Sequence, residues 1–377
     1  MTLFDIAIIG GGLAGCSAAF HLRCLGASAV LLERGLCGAQ ASGVNYGGVR
    51  QQGRHPTELP LARRSLGIWR NLKKLVGSDC EYAATGHLKL AKTESQMDEL
   101  ETYEGVARAH GLHLRLLDRQ SLRRDYPYLG PGWVGGSLCA EDGQANPRLV
   151  APAFARAATA IGADIRERQP VRGASYDGKE FRVTLADGAL VRARRLINTA
   201  GAWGASVAGW FGEAVPEEVM APNMVVTEPI PYFIRPNLGV CGGDIYLRQI
   251  PHGSVIFGAG LGWADSERGV ARPIADMTAA ASRLAIELVT QLKNVSVIRT
   301  WTGIEGRMPD GLPVIGTSST TPGLFHAFGF SGHGFQLCPA VGAVLAELAL
   351  EGRTTTPIAD FDIRRFFPKQ SGIAVTG

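Results

Sequence analysis

The sequence has few charged residues and no apolar run long enough to cross a membrane. Only 19% of the 377 residues are charged, whereas 46% are hydrophobic. That balance excludes a disordered chain, because disorder requires low hydrophobicity and high net charge. No uninterrupted apolar stretch reaches the roughly 18 residues of a membrane span, so we expect no transmembrane segment. The chain is instead predicted to bury a large core.

Cysteine motifs are also missing. The seven cysteines form no Cys-x-x-Cys pair and no cluster with histidine, which argues against a zinc or iron–sulfur site, and we predict no metal. Their odd number and wide spacing are typical of reduced thiols. The first strand is predicted from Phe4, which leaves no room for a cleavable signal. We therefore expect a cytoplasmic protein and leave peripheral membrane association open.

Basic residues form no stripe with interleaved aromatics, and the net charge is only +4, so nucleic-acid binding is not expected. Glycine, in contrast, is abundant. The chain has 49 glycines among 377 residues, nearly twice the average share of roughly 7%. Glycines that are scattered through non-repeating sequence indicate tight turns and close approaches of the backbone to a ligand.

The first 33 residues have the pattern of a strand, a glycine turn, a helix and a second strand. Residues 4–9 form a short run that is apolar except for Asp5, which is typical of a buried parallel strand. Glycines follow at positions 10, 11, 12 and 15, and a second apolar strand ends at Glu33. We call residues 10–15 the glycine fingerprint. It fits Gly-x-Gly-x-x-Gly in the structural context that dinucleotide binding requires.

Each fingerprint position has a predicted role. Gly10 makes the turn, Gly12 admits the pyrophosphate, and Gly15 lets the helix pack on the strand. The free N–H groups at Leu13 and Ala14 begin the helix and face the pyrophosphate. Glu33, followed by Arg34, is placed to hold a ribose 2′-hydroxyl, which disfavours NADP. Because the chain has one such fingerprint and no separate nicotinamide domain, we predict FAD.

Four further segments resemble the FAD-dependent D-amino acid oxidase superfamily, which includes glycine, sarcosine and proline oxidoreductases. They are the loop at 41–50, the motif Asn198-Thr-Ala-Gly-Ala-Trp203, and the two segments 310–316 and 329–334. Within the superfamily, residues 301–310 and 326–337 are similar to the flavin subunits of opine oxidases and of hydrogen cyanide synthase. The resemblance covers nearly the whole chain.

This resemblance implies an α/β fold with a Rossmann-like FAD-binding domain of the glutathione-reductase type. It also implies an inserted α+β substrate domain that is built on a mixed, mostly antiparallel sheet. We predict that the FAD-binding domain is built from residues 1–85, 141–215 and 301–377. Residues 86–140 and 216–300 form the predicted substrate domain.

The resemblance also implies cofactor contacts along the chain. In the 41–50 loop, Ser42 and Asn45 are expected at phosphate or ribitol, and Gly47 and Gly48 against the flavin ring. Val49 and Arg50 are expected to border the reacting face. An ordinary surface loop with a satisfied Asn is the alternative. Val171 is expected to contact adenine through its backbone. The remaining expected FAD contacts are Ala200, Gly201, Trp203, Arg307, Gly329, Ser331, Gly332, His333, Gly334, Phe335 and Gln336. The loop at 329–334 precedes a helix whose dipole would stabilise negative charge at flavin N1.

Four residues are candidate catalytic residues. Tyr246 and Arg248 lie two apart on a predicted strand, where Arg248 would bind a carboxylate or merely cover an aromatic ring. Glu305 aligns with an arginine that binds the substrate carboxylate in glycine oxidase-like relatives. It either pairs with Arg299 or Arg307 or meets a cationic substrate group. His333 either adds positive charge at the flavin or is a packing residue.

The predicted activity is FAD-dependent oxidation of a secondary-amine amino acid by hydride transfer to flavin N5. An opine of the octopine or nopaline type is favoured, and the imine would hydrolyse to an amino acid and a 2-keto acid. Glycine oxidation to hydrogen cyanide, or dehydrogenation of proline, sarcosine or a D-amino acid, remains open. So does a noncatalytic flavin-binding assembly role. The resemblance implies a heteromeric complex whose partner subunits carry further redox centres, namely iron–sulfur, FMN or a second FAD. A quinone is the other electron acceptor that it allows.

Overall fold

The computed structural model describes residues 2–367, which fold around two eight-stranded sheets. The strands are β1 (Leu3–Ile9), β2 (Ala29–Leu32), β3 (Gly48–Val49), β4 (His87–Ala91), β5 (Arg115–Asp118), β6 (Gly135–Cys139), β7 (Gly143–Gln144), β8 (Asp164–Arg166), β9 (Val171–Tyr176), β10 (Phe181–Leu185), β11 (Leu190–Asn198), β12 (Glu218–Met220), β13 (Pro222–Pro229), β14 (Asn237–Val240), β15 (Tyr246–Gln249), β16 (Ser254–Leu261), β17 (Trp263–Asp265), β18 (Val270–Arg272), β19 (Val297–Thr302), β20 (Glu305–Arg307), β21 (Val314–Thr317) and β22 (Leu324–Phe328). The helices are α1 (Leu13–Cys24), α2 (Ala41–Val44), α3 (Leu59–Arg70), α4 (Leu72–Val76), α5 (Glu94–Ala109), α6 (Arg119–Asp125), α7 (Pro147–Ala160), α8 (Gly204–Gly209), α9 (Ala275–Leu288) and α10 (Gly334–Glu351).

The first sheet has the strand order β21-β22-β11-β1-β2-β8, with β10 and β9 branching from β11. Its centre is parallel, since β1 pairs in parallel with both β11 and β2, and β11 with β22. The buried apolar runs of β1 and β2 explain this arrangement, because parallel strands are covered on both faces. The carboxyl ends of β1, β11 and β22 meet at one edge, where the fingerprint lies.

Helices α1 and α10 pack together beside this sheet. At Gly342 in α10, an added Cβ would lie 2.4 Å from Ser17 Oγ of α1, so the two backbones touch. α10 is long enough and apolar enough to cross a membrane, with a mean hydropathy of 1.3 over 18 residues. However, 78% of it is buried inside the protein. It therefore serves as the central core helix of this domain.

The second sheet has the order β19-β13-β16-β15-β14-β4-β6-β5. Its pairings are antiparallel except for β14 with β4. Helix α9 covers one face, where Ala281 and Leu288 pack in one cluster with Val225 and Phe257. The predicted α/β fold with an inserted, mostly antiparallel mixed sheet is confirmed.

The two sheets draw their strands from alternating parts of the chain. The first uses residues 3–32, 164–198 and 314–328, and the second uses residues 87–139 and 222–302. β19 ends two residues beyond the boundary predicted at residue 300. The division into five domain segments is kept as a proposal.

Candidate functional site

A cavity of about 870 Å³ reaches from the start of α1 to the second sheet. Its walls come from the glycine fingerprint, the loop at 41–54, the residues before α10, and strands β4, β14 and β15. This volume lies near the upper end of the range for small-molecule and cofactor sites. The cavity is therefore large enough for an extended cofactor with a substrate beside it.

The fingerprint glycines are required by close contacts. A Cβ at Gly10, which has φ +106°, would lie 2.4 Å from the Thr199 carbonyl oxygen, and one at Gly15 would lie 2.0 Å from the Gly10 carbonyl oxygen. Gly12 differs, because it lines the cavity and its Cβ would meet only Ser42 Oγ at 3.2 Å. Two glycines thus serve packing, and Gly12 keeps the cavity open at the helix start.

The start of α1 suits a pyrophosphate. Gly12 offers no side-chain cap, and the Leu13 N–H donates to Ser42 Oγ across 2.9 Å. The Ser42 hydroxyl accepts this bond, so its own proton can be donated to a phosphate oxygen. Ala14 lines the same wall. These residues fit the pyrophosphate of FAD, to which the Ala14 N–H and the Ser42 hydroxyl would donate.

Glu33 lies at the end of β2, outside the cavity wall. Its two carboxylate oxygens accept the N–H groups of Gly11 and Gly35, each across 2.7 Å. The Arg34 guanidinium lies 3.5 Å from the centre of the Trp203 ring, and Trp203 Nε1 donates to the Ser266 carbonyl oxygen. Arg34 and Trp203 thus hold each other beside the hairpin of β17 and β18.

The structure brings most of the predicted site residues to the cavity wall. Those that line it are Gly12, Leu13, Ala14, Ser42, Asn45, Gly48, Gly201, Tyr246, Glu305, Gly329, Ser331, Gly332, His333, Gly334, Phe335 and Gln336. Those that do not are Gly10, Gly15, Glu33, Arg34, Gly47, Val49, Val171, Ala200, Trp203, Arg248 and Arg307. The second group includes the residues predicted for adenine and ribose.

Asn45 has a different use from the one predicted. Its Nδ2 donates to the carbonyl oxygens of Ala41 and Ser42, and its Oδ1 accepts the Gly47 N–H across 2.7 Å. The amide therefore shapes the loop at 41–50. These bonds match the alternative in which the Asn45 side chain makes its hydrogen bonds within the loop, although Asn45 still lines the cavity.

Arg248 does not reach the cavity. Its Nη1 donates to Gln144 Oε1 across 3.0 Å, and its guanidinium lies 5.5 Å from the centre of the Tyr46 ring. Burial lowers the pKa of Arg248 to about 10. Arg248 is therefore a wall residue behind Tyr46, as in the alternative of an arginine that covers an aromatic ring. Tyr246, two positions earlier, lines the cavity and packs edge-on against Tyr46.

Three cationic residues line the cavity instead. Arg50 is expected at the reacting face, whereas Arg54 and Lys89 lie outside the site prediction. Arg50, Arg54 and Lys89 are all in its wall. Arg50 Nη1 and Lys89 Nζ lie 3.1 and 3.3 Å from the position of a Gly53 Cβ, so the two cations converge on one place. Burial, together with Arg50, lowers the pKa of Lys89. The omitted signal was β4 itself, where His87 and Lys89 share the face opposite buried Leu88 and Leu90.

Glu305 has no cationic partner within residues 2–367. Its Oε1 accepts the Gly332 N–H across 2.7 Å, whereas Arg307 is exposed, so the proposed pairing with Arg299 or Arg307 is not observed. Burial raises the pKa of Glu305 to about 7, against the opposing effect of the Gly332 bond. A carboxyl group with such a pKa can bind a cation or exchange a proton near neutral pH.

The first of the two roles left open for His333, a positive charge at the flavin, is not supported by its surroundings. Its Nδ1 lies 2.9 Å from Glu58 Oε1, a buried carboxylate absent from the site prediction. Burial and the neighbouring Arg54 lower the pKa of His333 to about 4, so the ring is neutral at pH 7. Stabilisation of negative charge at a flavin would then come from the backbone N–H groups and the dipole at the start of α10.

Known proteins share this fold and sequence. A family described as "FAD dependent oxidoreductase" (DAO) matches residues 5–348. The chain is 28% identical to mitochondrial sarcosine dehydrogenase of Homo sapiens, over 96% of this chain but only 41% of that protein, so it spans less than half of that relative's length. It is 27% identical to an opine oxidase component of Rhizobium meliloti, over 97% of this chain and 99% of that one.

A solved structure agrees. L-proline dehydrogenase from P. horikoshii superposes with a TM-score of 0.90 at 27% identity, covering 97% of this chain and 98% of that one. The resemblance inferred from the motifs is confirmed, and FAD is the cofactor of the family. The chain therefore belongs to the DAO family of FAD-dependent oxidoreductases.

Proposed function

We propose that the protein oxidises a secondary-amine amino acid, with an opine of the octopine or nopaline type as the favoured substrate. One observation carries the proposal: a single cavity contains both a converging pair of cations, Arg50 and Lys89, and an acid, Glu305, without a cationic partner in the described chain. A ligand that satisfies both needs carries a carboxylate and a cationic nitrogen.

The cationic end suits a carboxylate. Arg50 Nη1 donates to the Gln52 carbonyl oxygen, and the guanidinium keeps further N–H donors for a ligand. Lys89 adds a compact charge, so donors from two different elements can meet the same group. Arg54 also lines the cavity, and its Nη2 donates to the His333 carbonyl oxygen across 3.2 Å. These residues would bind and orient the substrate's carboxylate.

The acidic end suits an amine. An ionised Glu305 would pair with a secondary ammonium or a guanidinium, and an opine derived from arginine has both groups. Because its pKa is near 7, Glu305 can also accept the ammonium proton and leave the neutral amine that oxidation requires. Tyr246 faces the same carboxyl, and both burial and Glu305 raise its pKa, so its phenol stays protonated.

Oxidation of the bound amine requires loss of one proton and one hydride. The ammonium proton moves to Glu305, and the substrate carbon loses a hydride as the C=N bond forms. Bound FAD supplies the two-electron acceptor for that hydride. Water adds to the carbon of the protonated imine. The bond between that carbon and the nitrogen then breaks, which yields an amino acid and a 2-keto acid.

One relative supports this choice, since the opine oxidase component is matched over 99% of its length at 27% identity. We propose by analogy that this chain is the catalytic component of a heteromeric complex, located in the cytoplasm. Partner subunits with further redox centres, or a quinone, would take the electrons. The likeness to L-proline dehydrogenase makes proline the second candidate substrate.

Anaerobic mixing tests the proposal. The FAD-loaded protein is mixed in separate experiments with octopine, nopaline, proline, sarcosine and glycine, and loss of the flavin's visible absorbance is followed. We expect the opines to reduce the flavin fastest. Faster reduction by proline, sarcosine or glycine would reassign the substrate. No reduction by any of the five would overturn the proposed secondary-amine oxidation and would favour a D-amino acid substrate or an assembly role.

A further inference from the structure

Glu305 and the loop that carries His333 are bonded to each other. The Gly332 N–H is bonded to Glu305 Oε1 across 2.7 Å, and His333 is the next residue in the chain. Both residues line the cavity. Glu305 and His333 therefore border the same part of the site.

Glu58 determines which nitrogen of His333 carries the proton. Its Oε1 contacts His333 Nδ1 at 2.9 Å, and its Oε2 accepts the His55 N–H across 3.3 Å. Burial alone would raise the pKa of Glu58, but the bond to His333 and the charge of Arg54 lower it overall. Glu58 is thus ionised and can only accept, so His333 Nδ1 must be protonated. Nε2 of the neutral ring is then a bare acceptor.

The surrounding charges keep the ring neutral. Arg54 Nη1 lies 3.8 Å from Glu58 Oε1, so this cation already compensates the carboxylate, and Arg50 adds a second positive charge. Within the described chain, His333 Nε2 has no hydrogen-bond partner, whereas Nδ1 and the backbone oxygen are both engaged. A ligand donor is the natural partner for Nε2.

We infer that Glu305 and His333 Nε2 form a two-acceptor site for the two N–H groups of a secondary ammonium, with Glu58 as the positioning residue of His333. The inference rests on the proposed function and deepens it. Glu305 takes one N–H proton, and His333 holds the N–H that remains on the neutral amine during hydride loss. The groups that face Glu305 are Tyr246 and Cys338; those that face His333 are Glu58, Arg54 and Arg50.

The number of acceptors predicts a preference. A secondary ammonium has two donors and satisfies both acceptors. A primary ammonium brings a third donor without a partner in the site, and a tertiary ammonium leaves His333 without a donor. A buried polar group without a partner weakens binding by about 5- to 150-fold.

The tautomer can be tested without substrate. The FAD-loaded protein is labelled with ¹⁵N-histidine, and the ring nitrogens are observed by NMR at neutral pH, with the His333→Leu variant identifying the signals. We expect a protonated Nδ1 and a bare Nε2 for His333. In Glu58→Gln, whose amide can donate to Nδ1, the Nε2–H tautomer should become populated. A protonated Nε2 in the wild type would overturn the inference, even if Glu58→Gln fails to fold.

The acceptor role is tested by anaerobic flavin reduction with proline and N-methylproline, a secondary and a tertiary amine. His333→Leu should weaken apparent binding of proline by about 10-fold or more and change that of N-methylproline less than about 2-fold. Equal losses for both amines would show a structural role. His252→Leu, at an exposed turn position, is the matched control. Flavin reduction by neither amine in the wild type, nor by octopine, would count against the proposed function, while the NMR result still decides the tautomer.

Discussion

His326 Nε2 contacts Glu213 Oε2 at 2.8 Å, and neither side chain has any exposed surface. β22 pairs with β11 so that His326 lies opposite Asn198, whose Nδ2 donates to His326 Nδ1 across 3.1 Å. Nε2 is therefore the protonated nitrogen and donates to Glu213. This chain of bonds secures the end of β11, directly before Thr199 and Gly201, which line the cavity.

Glu213→Gln should lower the free energy of unfolding by about 2–4 kcal/mol. Glu213 also accepts from the Ser318 hydroxyl and the Ser319 N–H, and an amide cannot accept all of these bonds at both ends. Urea denaturation of the apoprotein measures the change. Glu218→Gln, at an exposed position, is the control and should fall within about 0.5 kcal/mol of the wild type. A similar value for both variants would contradict the structural role of Glu213.

The same residue predicts a pH dependence. Burial opposes ionisation of Glu213, but its bonds to His326, Ser319 and Ser318 lower its pKa from the usual 4.5 to about 2. A depressed carboxylate pKa contributes stability that is complete above 4.5 and is lost as the pH falls through about 2. The stability difference between wild type and Glu213→Gln should therefore shrink from pH 5 towards pH 2. A difference that stays constant over this range would refute the assignment.

Gly12→Val should weaken FAD binding at least about 10-fold while the apoprotein still folds. Gly12 has ordinary backbone angles, and its added side chain would enter the cavity beside Ser42 Oγ, where the pyrophosphate is expected. Titration of the apoprotein with FAD, followed by flavin fluorescence, gives the dissociation constant. Gly105→Val serves as a control, because Gly105 lies in α5 with open space around its Cβ position. Unchanged FAD affinity in Gly12→Val would place the pyrophosphate elsewhere.

Lys89→Met should raise KM for the carboxylate substrate by about 10- to 150-fold, because a charge-assisted bond of the substrate is lost while the methylene packing is kept. An amine without a carboxylate should show little change. Steady-state kinetics with both substrates measures the contrast. Lys73→Met, on the exposed face of α4, is the control. An equal effect on both amines would mean that Lys89 does not bind the carboxylate.

Local sequence was sufficient for the pyrophosphate end of the cofactor site, whereas Glu33 and Val171, expected at ribose and adenine, lie outside the cavity wall. The glycine fingerprint lies between a buried strand and a helix, so its position in the sequence predicts the turn and the helix start. Short-range pattern also predicted the glycine loop before α10, because a loop that precedes a helix must present free N–H groups. These features can be read without the fold, although the requirement for glycine at position 10 also depends on the distant Thr199 carbonyl oxygen.

The substrate half was decided by tertiary structure. Tyr246 and Arg248 alternate correctly on β15, yet only Tyr246 reaches the cavity, because Tyr46 stands between Arg248 and the open space. Lys89 is not among the predicted site residues, yet it lines the cavity together with residues of the first sheet and its loops. The charge of His333 depends on Glu58, 275 residues away in the chain. The sequence by itself determined the cofactor and the family, whereas packing between distant segments decided which charges meet the substrate.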